Sequence, residues 1–334
     1  MNIPTNAAQS VATVSGQELI SKHRVGIHMI AQMNRLRAWI GVALFVVLTA
    51  CGSGGGGEMP VEQTGIINIA ITDATVDVVT KVNVQFSGVT LKPQSGDTIE
   101  VFFDPPKDFD LLTLSGGMTA ELLPDTRVPA GSYNWIRLAV NAEFDNVFDS
   151  YAIVPEGQVE LRVPSGSQSG LKLVSGFTVT QNQSTNIVID WDLRKALSDP
   201  VGQPGLQLRP ALRVTNLAAY GTLNGTVAEA PVNDRSCTNN LAMDTGNAVY
   251  IYAGVVDPPG DIGDRTNDPL TTATVSQSES GTYVYEVNFL SVGEYTAAFT
   301  CQADDDDPET DNDIEFPVSQ AFSIEDGATI IVDF

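Results

Sequence analysis

The sequence has 334 residues, of which 41 are acidic and 17 are basic, and its formal net charge at pH 7 is −24. A negative field of this size repels nucleic acid, because nucleic-acid binding depends on lysine and arginine neutralising phosphates, and it also repels bare anionic lipid surfaces. The composition therefore excludes a nucleic-acid partner, and any membrane attachment must come from a source other than a basic patch.

The stretch 35–58 predicts a signal peptide followed by a flexible tether. Two arginines form a positive head, the thirteen residues 38–50 are uncharged and mostly apolar, and small residues precede Cys51. Thirteen residues are too few to cross a bilayer, which needs about 20, but they suit the apolar core of a signal peptide. The glycine-rich segment 52–57 then predicts a flexible spacer.

The segment Leu48-Thr49-Ala50-Cys51 resembles the lipobox of bacterial lipoproteins. The resemblance implies that Cys51 is acylated, becomes the new N-terminus and anchors the protein to the membrane through its acyl chains. Gly52 stands where an inner-membrane retention signal would place Asp, which implies the outer membrane without choosing a leaflet. Residues 1–50 are then a signal peptide with an over-long N-terminus, and 51–64 are the lipidated cysteine and its tether. The alternative is a short buried helix with a structural cysteine.

Beyond the tether, 29 glycines and 18 prolines in the whole chain punctuate short runs rich in valine, isoleucine, threonine and aromatic residues. This pattern is typical of all-β sandwiches. In 81–91, apolar and polar residues alternate until Gly88, which predicts a β-bulge there. The first half predicts strands at 65–71, 81–91, 98–103, 132–141, 158–163, 170–173, 177–180, 185–191 and 206–214, and helical turns at 118–123 and 193–197.

Six segments of the first half resemble a family of bacterial lipoprotein domains labelled DUF4382. They are GIINIAITDAT from 65, FDLLTL at 109–114, VPAGSYNWIRLAV at 128–140, VPSGSQSGLKL at 163–173, IDWDLRKAL at 189–197 and LQLRPALRV at 206–214. The resemblance implies a secreted β-sandwich over 65–216, often followed by a second one, and it carries no catalytic residue.

A second unit begins near 217–221, where the composition shifts. Residues 221–334 contain 21 acids and two basic residues, a net of −19, whereas 58–216 contain 19 acids and 11 basic residues, a net of −8. Strands are predicted at 221–227, 248–253, 281–289, 296–300 and 328–334. Their order resembles transthyretin-like and carboxypeptidase-regulatory-like sandwiches, so we expect an acidic transthyretin-like domain over 221–334. The overall expectation is two Ig-like or transthyretin-like β-sandwiches.

Once the predicted leader is removed, the chain cannot form the commonest catalytic arrangements. Both histidines, His23 and His28, lie in the predicted leader, so neither a histidine-based triad nor a histidine-ligated zinc site can form. A pair of carboxylates of the glycosidase type remains, and Asp190 and Asp192 flank Trp191. On a strand both acids share the face opposite Trp191, which favours a core tryptophan with solvated or turn-capping aspartates.

Cys237 and Cys301 are the cysteines that remain after lipidation of Cys51. Because compartments outside the cytoplasm are oxidising, we expect them to form a disulfide. Two separate buried thiols are the alternative.

The acidic segment Ala303 to Phe316 predicts a weak calcium site. Its acids recur at every second residue, a spacing at which hard oxygen ligands can wrap a calcium ion, although no register fits an EF-hand. A solvated loop is the alternative. The proposed ligands are Asp305, Asp307, Glu309, Asp311 and Asp313.

These observations favour a non-enzymatic, lipid-anchored envelope protein whose sandwiches bind a glycan or an envelope protein, in adhesion, matrix or polysaccharide contact. The alternative is an envelope carbohydrate-active hydrolase that uses a carboxylate pair.

Overall fold

The computed structural model describes residues 63–74, 79–164, 170–233, 237, 246–264 and 266–334. The predicted leader, Cys51 and nearly all of the tether lie outside these residues. Residues 58–334 form one compact unit. Within the described ranges, no helix combines the length and the apolar character needed to cross a membrane.

The first half of this unit forms two sheets, with a short 3₁₀ helix at Leu111–Leu114 and a short helix α1 at Leu193–Ala196. Its strands are β1 Thr64–Ala74, β2 Lys81–Pro93, β3 Ile99–Asp110, β4 Ala120–Pro129, β5 Gly131–Val140, β6 Tyr151–Val154, β7 Gly157–Arg162, β8 Leu171–Leu173, β9 Phe177–Val179, β10 Ser184–Asp192, β11 Leu197–Ser198, β12 Leu206–Leu208 and β13 Leu212–Asn216.

The smaller sheet has the order β13-β10-β1-β4, in which β1 is parallel to β10 and antiparallel to β4. The larger sheet has nine strands in the order β11-β12-β7-β6-β2-β5-β8, with β3 also paired to β2 and β9 to β5. One core joins the two sheets, and Ile69, Phe86 and Trp191 lie fully buried within it. Burial of such side chains is the main force that holds two sheets face to face.

The start of β2 shows why the sequence pattern predicts the sheet. Val82, Val84 and Phe86 alternate with polar residues and point into the core. The pairing with both β3 and β5 slips between Phe86 and Gly88. The predicted bulge is therefore confirmed, and it returns Val89 and Leu91 to the core.

The second half forms two further sheets of four strands each, with orders β17-β18-β14-β21 and β16-β15-β19-β20. Its elements are β14 Tyr220–Val227, α2 Glu229–Val232, β15 Ala248–Ala253, β16 Thr271–Thr274, β17 Ser276–Gln277, β18 Tyr283–Ser291, β19 Gly293–Thr300, β20 Val318–Ile324 and β21 Thr329–Ile331. Val249, Ile251 and Phe299 lie in the core between these sheets. The all-β sandwich fold predicted from the sequence is confirmed.

Two predicted elements are wrong, and one of them is the strand at 206–214, which is divided into β12 and β13 in different sheets. The segment 118–123 contributes to the strand β4 instead of forming a helical turn. Leu122 and Leu123 are buried, and β4 pairs with β1 through two register irregularities. Pairing with a strand that lies about 50 residues earlier outweighed the local helical tendency of this segment, because tertiary context routinely overrides propensity. The second predicted helical turn is present as α1.

Candidate functional site

The outer face of the smaller sheet of the first half meets the second half of the chain. Ile187, Ile189 and Trp191 of β10 point into the core of the first sandwich. Successive side chains of a strand point to opposite faces, so Asp190 and Asp192 point the other way. The shared face of these two acids and the core position of Trp191 agree with the sequence prediction. Both acids are buried, however, and not solvated.

Asp190 forms a buried ion pair with Arg213 of β13. Arg213 also donates to the carbonyl oxygens of Asn288, at 3.0 Å, and of Phe289, both in β18 of the second sandwich. Burial raises the pKa of Asp190, and the charge of Arg213 opposes that shift. The carboxylate thus holds an arginine that crosses between the two sandwiches.

Asp192 contacts the second sandwich directly. One of its oxygens accepts from the backbone N–H of Thr272 at 2.6 Å, and the other accepts from the Thr272 hydroxyl at 3.1 Å. The latter oxygen also accepts from the backbone N–H of Lys195 at 3.2 Å, so Asp192 is the N-cap of α1. Burial raises the pKa of Asp192, and the charge of Lys195 opposes that shift.

Three further basic residues of the first half reach the second sandwich. Arg194 of α1 is buried and donates to the carbonyl oxygen of Ala303 at 3.1 Å. The Lys195 ammonium lies 2.8 Å from the Asp268 carboxylate. Arg209 donates to the carbonyl oxygen of Pro308 at 3.0 Å and pairs with Glu309. Two ion pairs and several hydrogen bonds to backbone carbonyl oxygens therefore join the two sandwiches.

The acidic segment lies against this junction. The backbone N–H of Glu309 donates to Asp307 Oδ1 at 2.9 Å, and the Glu309 carboxylate accepts from Arg209 and, at 3.2 Å, from Ser198. Asp305, Asp311 and Asp313 are exposed. Across the ranges that the structure describes, no three His, Cys, Asp or Glu side chains are grouped so as to hold a metal ion. The predicted calcium ligands are thus not brought together, and calcium binding stays a prediction that requires the segment to rearrange.

The disulfide between Cys237 and Cys301 is confirmed, with a Cα–Cα distance of 5.3 Å. Cys301 directly follows β19, so the bridge fixes the start of the acidic segment. At the other end, the ring of Phe316 packs on Tyr250 and Tyr252, with ring centroids 5.3 and 6.4 Å apart. Both ends of the segment are therefore held against one sheet.

Asp306 is the residue of this segment that the sequence prediction missed. Its side chain is buried, and one oxygen accepts from the Tyr250 hydroxyl at 2.6 Å and from the backbone N–H of Ile262 at 3.1 Å. The other oxygen is buried and has no hydrogen-bond partner among the described residues. Burial raises the pKa of Asp306 to about 6, and the nearby charge of Asp261 adds to that shift.

A cleft of about 640 Å³ lies at the junction of the two sandwiches. Its walls include Asp190, Asp192 and Arg213 from the first half and Asp264 and Asp268 from the second. Glycoside hydrolysis needs one carboxylic acid that gives up a proton and a second, ionised carboxylate beside the substrate. Here both buried acids accept hydrogen bonds from residues of the junction, which favours a structural role for the pair.

The basic residues of the junction carried a signal in the sequence that the prediction did not use. Four of the eleven basic residues of the first half lie at 194–213, and the second half has a net charge of −19. The segment 194–213 itself contains a single acid, Asp199, so its basic residues can pair with acids elsewhere in the chain. The particular partners were not predictable, because each contact joins residues that are far apart in the chain.

The first half of the chain matches a known family of protein domains. Residues 64–210 match the model of the family described as "Domain of unknown function (DUF4382)", as the sequence predicted. No curated protein matches the chain.

The solved structures named here are distant likenesses. The Bacillus anthracis TIE protein is 14% identical with a TM-score of 0.19, and the match covers 81% of this chain and 34% of that one. GBS52, the minor pilin of Streptococcus agalactiae, is 12% identical with a TM-score of 0.18, over 80% of this chain and 94% of that one. The fimbrial anchor protein Mfa2 from Porphyromonas gingivalis is 9% identical with a TM-score of 0.17, over 72% and 80%. TM-scores this low carry no conclusion about function.

Proposed function

We propose that the chain is a non-enzymatic, lipid-anchored protein of the bacterial cell envelope that presents its two β-sandwiches as one rigid unit for binding or structural contact. The junction between the sandwiches supports this proposal. Arg194 and Arg213 of the first half each donate there to a backbone carbonyl oxygen of the second half, and the buried Asp190 pairs with Arg213. Separating the halves would break these hydrogen bonds and those that Asp192 accepts from Thr272.

The anchor of this proposal is Cys51, whose acyl chains would attach the protein to the membrane, most simply to the outer membrane. The glycine-rich segment 52–57 would act as a flexible spacer between the lipid and the first sandwich. A protein with an acidic surface needs such an anchor, because anionic lipids repel that surface. The protein would thus stand off the membrane and expose both sandwiches to a glycan or to another envelope protein.

Fatty-acid labelling in a bacterial host tests the anchor. The wild-type chain should incorporate a labelled fatty acid and sediment with membranes, whereas Cys51→Ser should do neither. Cys301→Ser is the matched control for loss of a cysteine, and it should keep the label. Equal labelling of wild type and Cys51→Ser would refute the anchor.

Calorimetry of the full-length protein tests the rigid unit. One cooperative unfolding transition is expected, because the junction couples the two sandwiches. Two transitions that are unaffected by changes at Asp190 or Arg213 would refute the coupling.

The alternative function, a carbohydrate-active hydrolase, rests on the cleft, whose walls include two buried acids of raised pKa. A glycan-array screen beside a hydrolysis assay separates the two proposals. Turnover that disappears in Asp190→Asn and Asp192→Asn, with folding retained, would favour the hydrolase. Binding without turnover would favour the non-enzymatic protein.

A further inference from the structure

Four side chains form a patch on the outer face of the nine-stranded sheet, away from the junction: Lys92, Trp135, Arg137 and Lys172, here named the Trp135 patch. Trp135 and Arg137 are two residues apart on β5, so they point to the same face. Lys92 of β2 lies opposite Trp135, and Lys172 of β8 lies opposite Arg137. The neighbouring Ile136 is in the core, which places the patch on the outside.

Two of the three cations of the patch lie over one indole ring. The Arg137 guanidinium lies 5.0 Å from the centre of the Trp135 ring, and the Lys172 ammonium lies 4.7 Å from it. Lys92 donates to the carbonyl oxygen of Gly96 at 2.7 Å. Contacts of this kind between a cation and an aromatic ring hold the charge in place without neutralising it.

The patch lacks anionic partners within the part of the chain that the structure describes. The ion pairs found there join Lys195 to Asp268, Arg209 to Glu309 and Arg213 to Asp190, and none includes a patch residue. In addition, Nε of Arg137 is buried and has no hydrogen-bond partner there. In a chain with 41 acidic and 17 basic residues, three neighbouring cations without an ion-pair partner in the described ranges stand out.

We propose that the Trp135 patch binds a polysaccharide that carries carboxylate groups, that is, a polymer of uronic acids. Arginine and lysine bind carboxylates through charge-assisted hydrogen bonds, and arginine can do so with two parallel bonds. The indole ring offers an apolar surface on which the C–H face of a sugar ring can stack. The inference deepens the proposed function by naming a ligand class, and it rests on that function for the access of the patch to envelope polysaccharides.

The rest of the surface favours this ligand over duplex nucleic acid and anionic bilayers. Duplex DNA carries one negative charge per about 1.7 Å of its axis, and the net charge of −24 repels so dense a polyanion. An anionic bilayer presents a broad charged plane that would also face the surrounding acidic surface. A uronic-acid polymer carries one charge per sugar and can lie along the patch alone.

Binding of fluorescently labelled polygalacturonate oligomers to the full-length protein in detergent micelles tests the inference. The double variant R137Q/K172Q should weaken binding at least tenfold, and Trp135→Ala should do the same. The matched control is Lys81→Gln on the same strand as Lys92, about 35 Å away at 3.3 Å per residue, where the lysine also lies over an aromatic ring, that of Tyr151. Lys81→Gln should change the affinity less than twofold.

Tryptophan fluorescence supplies a second readout. Of the three tryptophans, Trp191 is fully buried and position 39 lies in the predicted leader, so a change on adding polygalacturonate should come from Trp135. Trp135→Phe should abolish that change.

Several outcomes would overturn the inference: no binding of polygalacturonate, an equal loss in Lys81→Gln, equal binding of neutral dextran, or tighter binding of anionic vesicles or of oligothymidylate. Fatty-acid labelling tests the membrane anchor independently of polygalacturonate binding. A protein that takes up fatty acid but does not bind polygalacturonate overturns this inference alone. Binding that depends on the patch, without fatty-acid uptake, overturns the anchor alone.

Discussion

Replacement of Asp306 by asparagine should remove a pH-dependent loss of stability. The Asp306 carboxyl is buried, and one of its oxygens has no hydrogen-bond partner in the described chain. Asparagine has the same shape, and its carbonyl oxygen can still accept from the Tyr250 hydroxyl and the backbone N–H of Ile262. The substitution therefore mimics the uncharged acid and keeps its contacts.

The magnitude follows from the pKa of about 6 for Asp306 in the folded protein, against an ordinary value of 3.8. Between these values the folded state holds a proton that the unfolded state has released, so the free energy of unfolding falls as the pH rises. A pKa difference of about 2 corresponds to a loss of about 3 kcal/mol. The loss is absent below about pH 4 and complete above about pH 7.

Urea unfolding of wild type and Asp306→Asn at pH 4.5, 6.0 and 7.5 measures this effect. The stability of the variant relative to wild type should rise by about 2 kcal/mol across this range, because about 1 kcal/mol of the loss is already present at pH 4.5. The control is Asp305→Asn, which removes the same charge from the exposed neighbouring residue and should show no such rise. Chelator is present throughout, so that bound calcium does not contribute.

Equal pH dependence in wild type, Asp306→Asn and Asp305→Asn would refute the reasoning, because it would mean that the buried carboxyl ionises as easily as an exposed one. The reasoning would also be refuted if Asp306→Asn destabilised the protein more at pH 7.5 than at pH 4.5. That result would mean that the negative charge itself is stabilising.

Three further predictions concern the junction and the acidic segment. Arg213→Met should lower the free energy of unfolding at pH 7 by about 3 to 5 kcal/mol, because it leaves the Asp190 carboxylate buried without its cation. The control is Arg162→Met, on β7 of the larger sheet. An equal loss of stability in the control would contradict the prediction. Replacing both Cys237 and Cys301 by alanine should cost about 4 kcal/mol, since the bridge closes a loop of 64 residues. Peptide mapping of the denatured, unreduced protein should find neither cysteine as a free thiol, and free thiols there would contradict the bridge. Millimolar calcium should raise the Tm more than magnesium does, and the variant D307N/D311N should lose that difference; identical action of the two ions would leave the acidic segment as a solvated loop.

The sequence by itself determined the features that depend on local pattern. The alternation of Val82, Val84 and Phe86 predicts a strand with one buried face, and Gly88 marks the bulge in that strand. The two cysteines beyond the predicted anchor predict the disulfide, because few pairings were open to them. The segments that resemble DUF4382 lie within or at the ends of the match over 64–210.

Only the tertiary structure decided which groups neutralise the acids. Arg209 meets Glu309 across 100 residues, and Arg194 meets the Ala303 carbonyl across 109. Hydrophobic periodicity shows that a side chain points away from the core, but it does not show which residues that side chain contacts there. For this reason Asp190 and Asp192 could be placed opposite Trp191 from the sequence, whereas their burial against the second sandwich could not. The same holds for Asp306, which the spacing of the acidic segment assigned to no role and which the fold turns inward to Tyr250.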